Sequence, residues 1–260
     1  MNSVNIIKYP STMHLEGSSL QTGDSVDVFK FNQLKGKYLV IEEKIDGANS
    51  GISFSSDAEL LMQSRGHYLL GHDKPHFDLF KTFCKTFEND LFDILTDRYI
   101  MYGEWMYALH SIYYNLLPDY FFEFDIYDKY EKVFLSTIER KKIISKAKNV
   151  KIFSVPVLFE GSLKNPKDML DLIDISIYKD NNAIHQLEKE MLEKRYPKEV
   201  FDSLLKLNES MMSEGLYIKV ESEKTTDHRL KYVRKDFTQT ILDNDLHWNS
   251  RPMIVNQVIK

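Results

Sequence analysis

One lysine stands out at the end of a short apolar run. Tyr38-Leu39-Val40-Ile41 is typical of a buried strand, and Glu42-Glu43-Lys44-Ile45-Asp46-Gly47-Ala48-Asn49 follows it directly. A lysine amine can attack an activated phosphorus when it is unprotonated and held in place. Partial burial and cationic neighbours favour the neutral amine, whereas nearby carboxylates oppose it. The pattern from Lys44 to Gly47 is weak by itself, because most lysines are solvated and a surface lysine in a hairpin has the same sequence.

Charged or aromatic side chains also lie near the ends of other predicted strands. These segments are Ser64-Arg65-Gly66, Tyr102-Gly103-Glu104-Trp105, Phe121-Phe122-Glu123-Phe124-Asp125-Ile126-Tyr127, Glu214-Gly215-Leu216-Tyr217-Ile218-Lys219 and the basic segment from Arg229 to Lys235. Together with the segment around Lys44, they resemble in order the motifs of the covalent nucleotidyltransferases, the superfamily of ATP-dependent ligases and capping enzymes. Ordered co-occurrence is far more specific than any single match. The Ser-Arg-Gly and Phe-Asp-Ile segments are most similar to the RNA ligase 2-like branch, and the resemblance spans Tyr38 to Lys235.

The resemblance implies a role for each matching side chain. Lys44 is the expected nucleophile that receives AMP from ATP, and Lys219 and Lys231 are expected to contact the α-phosphate. The implied nucleotide-binding residues are Glu43, Ile45, Asn49, Arg65, Glu104, Phe124, Lys219 and Lys231. The implied metal-binding residues are Asp46, Glu104 and Glu214, which would bind Mg²⁺ or Mn²⁺ directly or hold its waters.

Each of these side chains also has a simpler interpretation. Arg65 is either a surface arginine after a hairpin or a cation for ribose or phosphate, for which the guanidinium fork is well suited. Glu104 is either a solvated strand end or a ligand of the ribose or metal. Phe124 is either a core residue or the platform for adenine, with Asp125 on the opposite side of the strand. Packing is preferred for the aromatic segment that follows Glu104, and its lone His110 is interpreted as structural.

The last basic segment departs from the family pattern of two lysines separated by one residue. Here Arg229 and Lys231 occupy those positions, and Lys231 is preferred because it fits the motif spacing best. A basic strand can also be an ordinary exposed edge, since lysine protects edges from pairing.

The resemblance implies an α+β fold, an ATP-grasp-like ligase domain of two antiparallel sheets that form a nucleotide cleft flanked by helices. Alternating segments are compatible with strands there, and aromatic spacing predicts a helix over Pro75–Leu95. We expect residues 1–36 to be an N-terminal cover and residues 37–235 to be the nucleotidyltransferase domain, with a helical insert at about 160–210. Residues 236–260 are expected to form a short extension without an OB-fold.

Composition sets further limits. Of 260 residues, 43% are apolar, which is enough for a sizeable core. A net charge of -5 argues against a protein that coats nucleic acid by bulk charge, although a local basic groove remains compatible with it. The single cysteine, Cys84, excludes an internal disulfide and favours the cytoplasm or another reducing compartment. No apolar run approaches the ~20 residues that span a membrane, so no membrane association is expected.

The implied activity is ATP-dependent joining of RNA ends that carry a 5′-phosphate and a 3′-hydroxyl, through a lysyl-AMP intermediate and an adenylylated 5′ end. A protein partner that supplies RNA binding is also possible. Two alternatives remain: an adenylyl- or guanylyltransferase acting on another acceptor, and a non-sealing protein that binds RNA ends.

Overall fold

A computed structural model describes residues 6–20, 27–71, 74–237 and 253–259. Parts of the predicted N-terminal cover and most of the predicted C-terminal extension lie outside these residues. No helix in the described ranges is long and apolar enough to cross a membrane.

Two six-stranded sheets form the framework. The first sheet contains, in spatial order, β10 (Val157–Gly161), β3 (Leu39–Lys44), β11 (Gly215–Glu221), β12 (Thr226–Val233), β1 (Met13–Leu15) and β2 (Val28–Phe29). The second contains β5 (Leu60–Ser64), β4 (Ala48–Phe54), β6 (Tyr99–Trp105), β7 (Phe121–Asp128) and β8 (Val133–Phe134), with β9 (Phe153–Ser154) paired to β7. The longer strands pair antiparallel, as predicted, whereas β1 pairs parallel with β12 and β2, and β9 parallel with β7.

Helices cover and flank these sheets. The α-helices are α1 (Asp78–Thr86), α2 (Glu88–Leu95), α3 (Thr137–Ile144), α4 (Ala183–Glu193) and α5 (Lys198–Asn208), and 3-10 helices span Phe31–Leu34, Pro75–Phe77 and Pro166–Leu172. The helix predicted over Pro75–Leu95 is interrupted at Phe87, whose φ of -108° and ψ of 22° are not helical. Ser136 caps α3 by accepting a hydrogen bond from the Glu139 amide at 3.5 Å.

Apolar side chains are buried on the outer faces of both sheets and also between them. Ile52 and Phe121 of the second sheet pack with Phe80 and Leu91 from α1 and α2. The first sheet packs against the 3-10 helices Phe31–Leu34 and Pro166–Leu172. A third cluster, which includes Phe124, lies between the sheets.

A buried network of charged side chains also connects the two sheets. Arg140 of α3 binds Glu42 of β3 at 3.2 Å and Glu123 of β7 at 2.9 Å. Lys219 of β11 binds Glu42 at 2.9 Å and Asp125 of β7 at 3.1 Å. None of these side chains is more than 1% exposed. Since burying a charge is costly unless it is paired, each member depends on the others.

Substitution of Arg140 by leucine is expected to lower the free energy of unfolding by about 3–5 kcal/mol, because buried carboxylates lose their partner. The measurement is urea unfolding followed by circular dichroism. The control is Lys142→Leu, which removes an exposed cation from the same helix and should cost at most about 1 kcal/mol. Equal, small losses in the two variants would contradict this role for the network.

Candidate active site

A cavity of about 1070 Å³ opens between the two sheets. Its walls come from the strands, from turns and from the N-terminal segment. The residues that line it include Tyr9, Thr12, Glu42, Glu43, Lys44, Ile45, Asp46, Gly47, Asn49, Arg65, Lys74, His76, Glu104, His110, Phe124, Val155, Tyr217 and Lys231. Of the site residues predicted from the sequence, all line this cavity except Glu214 and Lys219.

Strand register brings Glu214 to Lys44. The strands β3 and β11 pair antiparallel with Gly215 opposite Lys44, so the residue before β11 lies beside the end of β3. Lys44 Nζ lies 2.6 Å from Glu214 Oε2, and the two side chains are 25% and 8% exposed. A Cβ at position 215 would clash with the carbonyl oxygen of Tyr232 in the neighbouring strand β12, which explains why glycine begins β11.

Two further acids hold the turn that follows Lys44. Glu104, at the end of β6, accepts a hydrogen bond from the Gly47 amide at 3.1 Å. Asp46 Oδ2 accepts hydrogen bonds from the amides of Ser111 and Ile112 at 2.7 and 3.1 Å. Gly47 has no room for a Cβ, which would lie 2.6 Å from a sulfur and 2.8 Å from a backbone oxygen. The turn is therefore closely packed beside the lysine.

The carboxylates keep Lys44 protonated. Burial alone would lower the pKa of its ammonium, but the charges of Glu214, Asp46 and Glu104 outweigh burial and raise that pKa above its ordinary value. Burial in turn raises the pKa of Glu214 to about 6 and that of Glu104 to about 8, although Lys44 opposes both shifts. Nucleophilic attack by Lys44 therefore requires removal of a proton.

Aromatic and apolar side chains form another wall of the cavity. Phe124 is 8% exposed, and its ring lies 5.2 Å from that of Tyr9 and 6.1 Å from that of Tyr217. Val155 and Ile45 line the same cavity. An aromatic face with apolar neighbours is suited to a planar base. Glu43 precedes Lys44 at the end of β3 and is 3% exposed, and burial raises the pKa of its carboxyl group.

Cations reach the cavity from two sides. Arg65 follows β5, and its guanidinium donates a hydrogen bond to the Ser11 hydroxyl at 3.3 Å. Lys231 of β12 lies opposite Tyr217 of β11. Its charge opposes the rise that burial causes in the pKa of Glu214. Asn49 lies opposite Glu104 in the pairing of β4 with β6. Phosphate groups in this cavity would meet positive charge from both sheets.

The placement of Lys219 does not support its predicted contact with the α-phosphate. Its side chain is fully buried in the charge network, and its ammonium binds Glu42, Asp125 and the carbonyl oxygen of Phe124. These acceptors hold the ammonium away from the cavity, which Lys219 does not line. Lys219 therefore supports the residues that do line the cavity. Tyr217 and Lys219 are two residues apart and share a face of β11, but alternation in a sequence does not show how deep that face is buried.

The acids fit a divalent metal only in part. Within the described ranges, no group of three or more His, Cys, Asp or Glu side chains is arranged to hold a metal ion. One oxygen of Asp46 is already bound by two amides. Mg²⁺ commonly takes one or two carboxylates and completes its shell with phosphate and water. Glu104 and Glu214 are suited to that arrangement, whereas a cage of three carboxylates is not formed.

Several residues that line the cavity are not among those predicted from the sequence. Tyr9 and Thr12 belong to the segment interpreted as a simple cover, and His110 was set aside as structural. Lys74 and His76 precede α1, where only an apolar pattern was considered. For Tyr9 no local signal exists, because its hydroxyl contacts Asp125 and Tyr217, which are more than a hundred positions away. For His110, its position just after the predicted Glu104 segment was the available signal.

Comparisons with known proteins identify the family from a family model and the fold from solved structures. The model of the RNA ligase family matches residues 37–233. An apo mutant of Naegleria gruberi RNA ligase aligns with a TM-score of 0.53 and 15% identity, over 82% of this chain and 54% of that chain. A mutant of that ligase with ATP and Mn gives 0.51 and 17% over the same shares, and one with AMP and Mn gives 0.51 and 16% over 88% and 61%.

These alignments confirm the predicted α+β fold with two sheets and flanking helices. The chain spans 54–61% of the length of these ligase chains. No curated protein matches it.

Replacement of Glu214 by glutamine is expected to lower the pKa of Lys44, because a carboxylate stabilises the ammonium and an amide does not. At a given alkaline pH, a larger fraction of the amine is then neutral and Lys44 reacts faster with an acylating reagent. The measurement is mass spectrometry of the modified Lys44 peptide over a pH series, with a chelator present.

The matched control is Glu160→Gln, which removes the partner of the exposed Lys141. It should leave the reactivity of Lys44 unchanged. A Lys44 reactivity profile that is the same in Glu214→Gln and in the unsubstituted protein would contradict the electrostatic account.

Proposed function

The chain belongs to the RNA ligase family, and we propose that it is an ATP-dependent RNA ligase that carries AMP on Lys44. The main support is one arrangement: Lys44 lies 2.6 Å from Glu214 at a cavity that Arg65, Phe124 and Lys231 also line. A nucleophile, cations for phosphate and an aromatic wall for a base therefore share one space. A pure binding protein has no need of the nucleophile.

The first step is attack of the Lys44 amine on the α-phosphorus of ATP. A P–N bond forms, the bond to the β-phosphate oxygen breaks, and pyrophosphate leaves. The Lys44 proton must depart first, and Glu214 is its hydrogen-bonded acceptor. Arg65 and Lys231 would balance the negative charge on the phosphates, which is the main demand of phosphoryl transfer. Phe124 would hold the adenine, with Glu43, Ile45 and Asn49 nearby.

A divalent metal, Mg²⁺ or Mn²⁺, would supply positive charge that stabilises the phosphates and favours the neutral amine. Glu104 and Glu214 are the residues proposed to hold it, and Asp46 would act through its waters or through the turn.

The later steps join RNA ends. A 5′-phosphate takes the AMP from Lys44, and a 3′-hydroxyl then displaces AMP to seal the strand. Sequence similarity to the RNA ligase 2-like branch supports RNA as the substrate, and a protein that supplies further RNA binding is a possible partner. A reducing compartment remains the proposed location, in keeping with the buried free Cys84.

Incubation with ATP labelled at the α-phosphate is expected to label the protein covalently. The label should be lost in Lys44→Ala and retained in Lys142→Ala, which removes an exposed lysine far from the cavity. The measurement is denaturing gel electrophoresis after incubation with ATP and magnesium. A label that survives Lys44→Ala would reject Lys44 as the carrier, and absence of any label would reject the proposed function.

The acceptor is tested with nicked duplexes of RNA and of DNA that have the same sequence and a 5′-phosphate at the nick. Sealing of the RNA nick is expected to be faster, and a gel assay measures both products. Labelled protein that seals neither duplex would favour the alternative of a transferase with another acceptor. Equal sealing would reject the preference for RNA.

A further inference from the structure

A long loop, residues 106–120, joins the adjacent strands β6 and β7. Adjacent antiparallel strands usually need only two to about five residues to connect them, and loops beyond about twelve residues are commonly functional. Several of its side chains are nearly inaccessible, including Met106, Ile112, Tyr114 and Leu117, which are 0–3% exposed. We call this segment the site loop, because His110 within it lines the cavity.

The site loop binds both the side-chain carboxylate and the backbone amide of Asp46. The amides of Ser111 and Ile112 donate to its carboxylate, and its own amide donates to the Tyr114 hydroxyl at 2.9 Å. Asp46 is two residues after Lys44, and its charge contributes to the raised pKa of that lysine. The position of the turn beside the nucleophile thus depends on the conformation of the loop.

Asn208, the last residue of α5, binds the middle of the loop. Its side-chain oxygen accepts from the Tyr113 amide at 2.7 Å, and its side-chain nitrogen donates to the Ser111 carbonyl at 3.1 Å. The side chain is 3% exposed. One asparagine therefore holds the backbone directly around the amides that bind Asp46.

Asn256, from residues 253–259, binds the site loop at Met106 and at Tyr114. Its side-chain oxygen accepts from the Tyr114 amide at 3.0 Å, and its side-chain nitrogen donates to the Met106 carbonyl at 2.7 Å. Its amide donates to the Tyr107 carbonyl at 3.0 Å, and its side chain is fully buried. Because an amide side chain both donates and accepts, asparagine can bridge two backbone positions in a dry interior.

We propose that Asn208 and Asn256 are positioning residues for transfer of AMP to Lys44. They act through the site loop, which holds Asp46 and the turn beside the nucleophile. The inference rests on the proposed function. It assigns a role in the reaction to the helical insert and to residues 253–259, for which the sequence alone predicts none.

The test is single-turnover labelling with α-labelled ATP, over a range of ATP concentrations, for Asn208→Ala and Asn256→Ala. We expect the maximal rate constant to fall about ten- to a hundredfold, as small misplacements of reacting groups do. The labelled fraction at completion and the half-saturating ATP concentration should remain close to those of the unsubstituted protein. The reason is that the substitutions leave the aromatic wall around Phe124, which is proposed to bind adenine, unchanged. A purely structural defect would instead reduce the labelled fraction.

The matched control is Asp90→Ala. Asp90 is a buried clamp in α2 that accepts hydrogen bonds from the amides of Asn149 and Val150, away from the cavity. Its rate constant should stay within about twofold of the unsubstituted value, even if the thermal unfolding midpoint drops. If Asn256→Ala does not fold, Asn208→Ala and the milder Asn256→Ser are measured in the same way.

The outcomes separate the two proposals. Unsubstituted protein that takes no label rejects the proposed function. Unsubstituted protein that labels, with asparagine variants that label at the same rate, rejects only the positioning role. A rate loss that Asp90→Ala matches also rejects it, because general destabilisation would then explain the effect.

Discussion

The ion pair between Lys44 and Glu214 is the interaction on which the site depends, and the register of β3 makes it possible. The two residues are 170 positions apart in sequence and lie 2.6 Å apart in space. The strand β3 is held on one side by β10 and on the other by β11, so its end cannot shift independently. A slip of one residue would turn every side chain of β3 to the opposite face and direct Lys44 away from the cavity.

The same strand connects the site to the buried charge network. Glu42 and Lys44 are two residues apart and therefore share a face of β3. Both line the cavity, and Glu42 also belongs to the network. Arg140 and Lys219 from the network both donate to the carbonyl oxygen of Phe124. The wall proposed for adenine is thus fixed by Arg140 and Lys219, which do not line the cavity, and a costly buried network becomes part of how the site is held.

Local sequence predicted much of this structure, but not its depth or its long-range partners. Apolar runs and alternation located the strands around Lys44, Phe124 and Glu214, because those signals depend on neighbouring residues. Alternation puts Lys219 on the same face of β11 as Tyr217 but does not show that the network buries it. Tyr9 and Asn256 were missed because their partners are distant in sequence, and no local pattern marks a residue that bridges two remote backbone segments.

The central claim is that Lys44 carries the nucleotide, and intact-mass spectrometry followed by peptide mapping tests it most directly. After incubation with ATP and magnesium, the account predicts a mass increase of one AMP, located on the peptide that contains Lys44 and lost on mild acid treatment, as expected for a P–N bond. An AMP found on another residue, or a nucleotide that is bound but never becomes covalent, would contradict it.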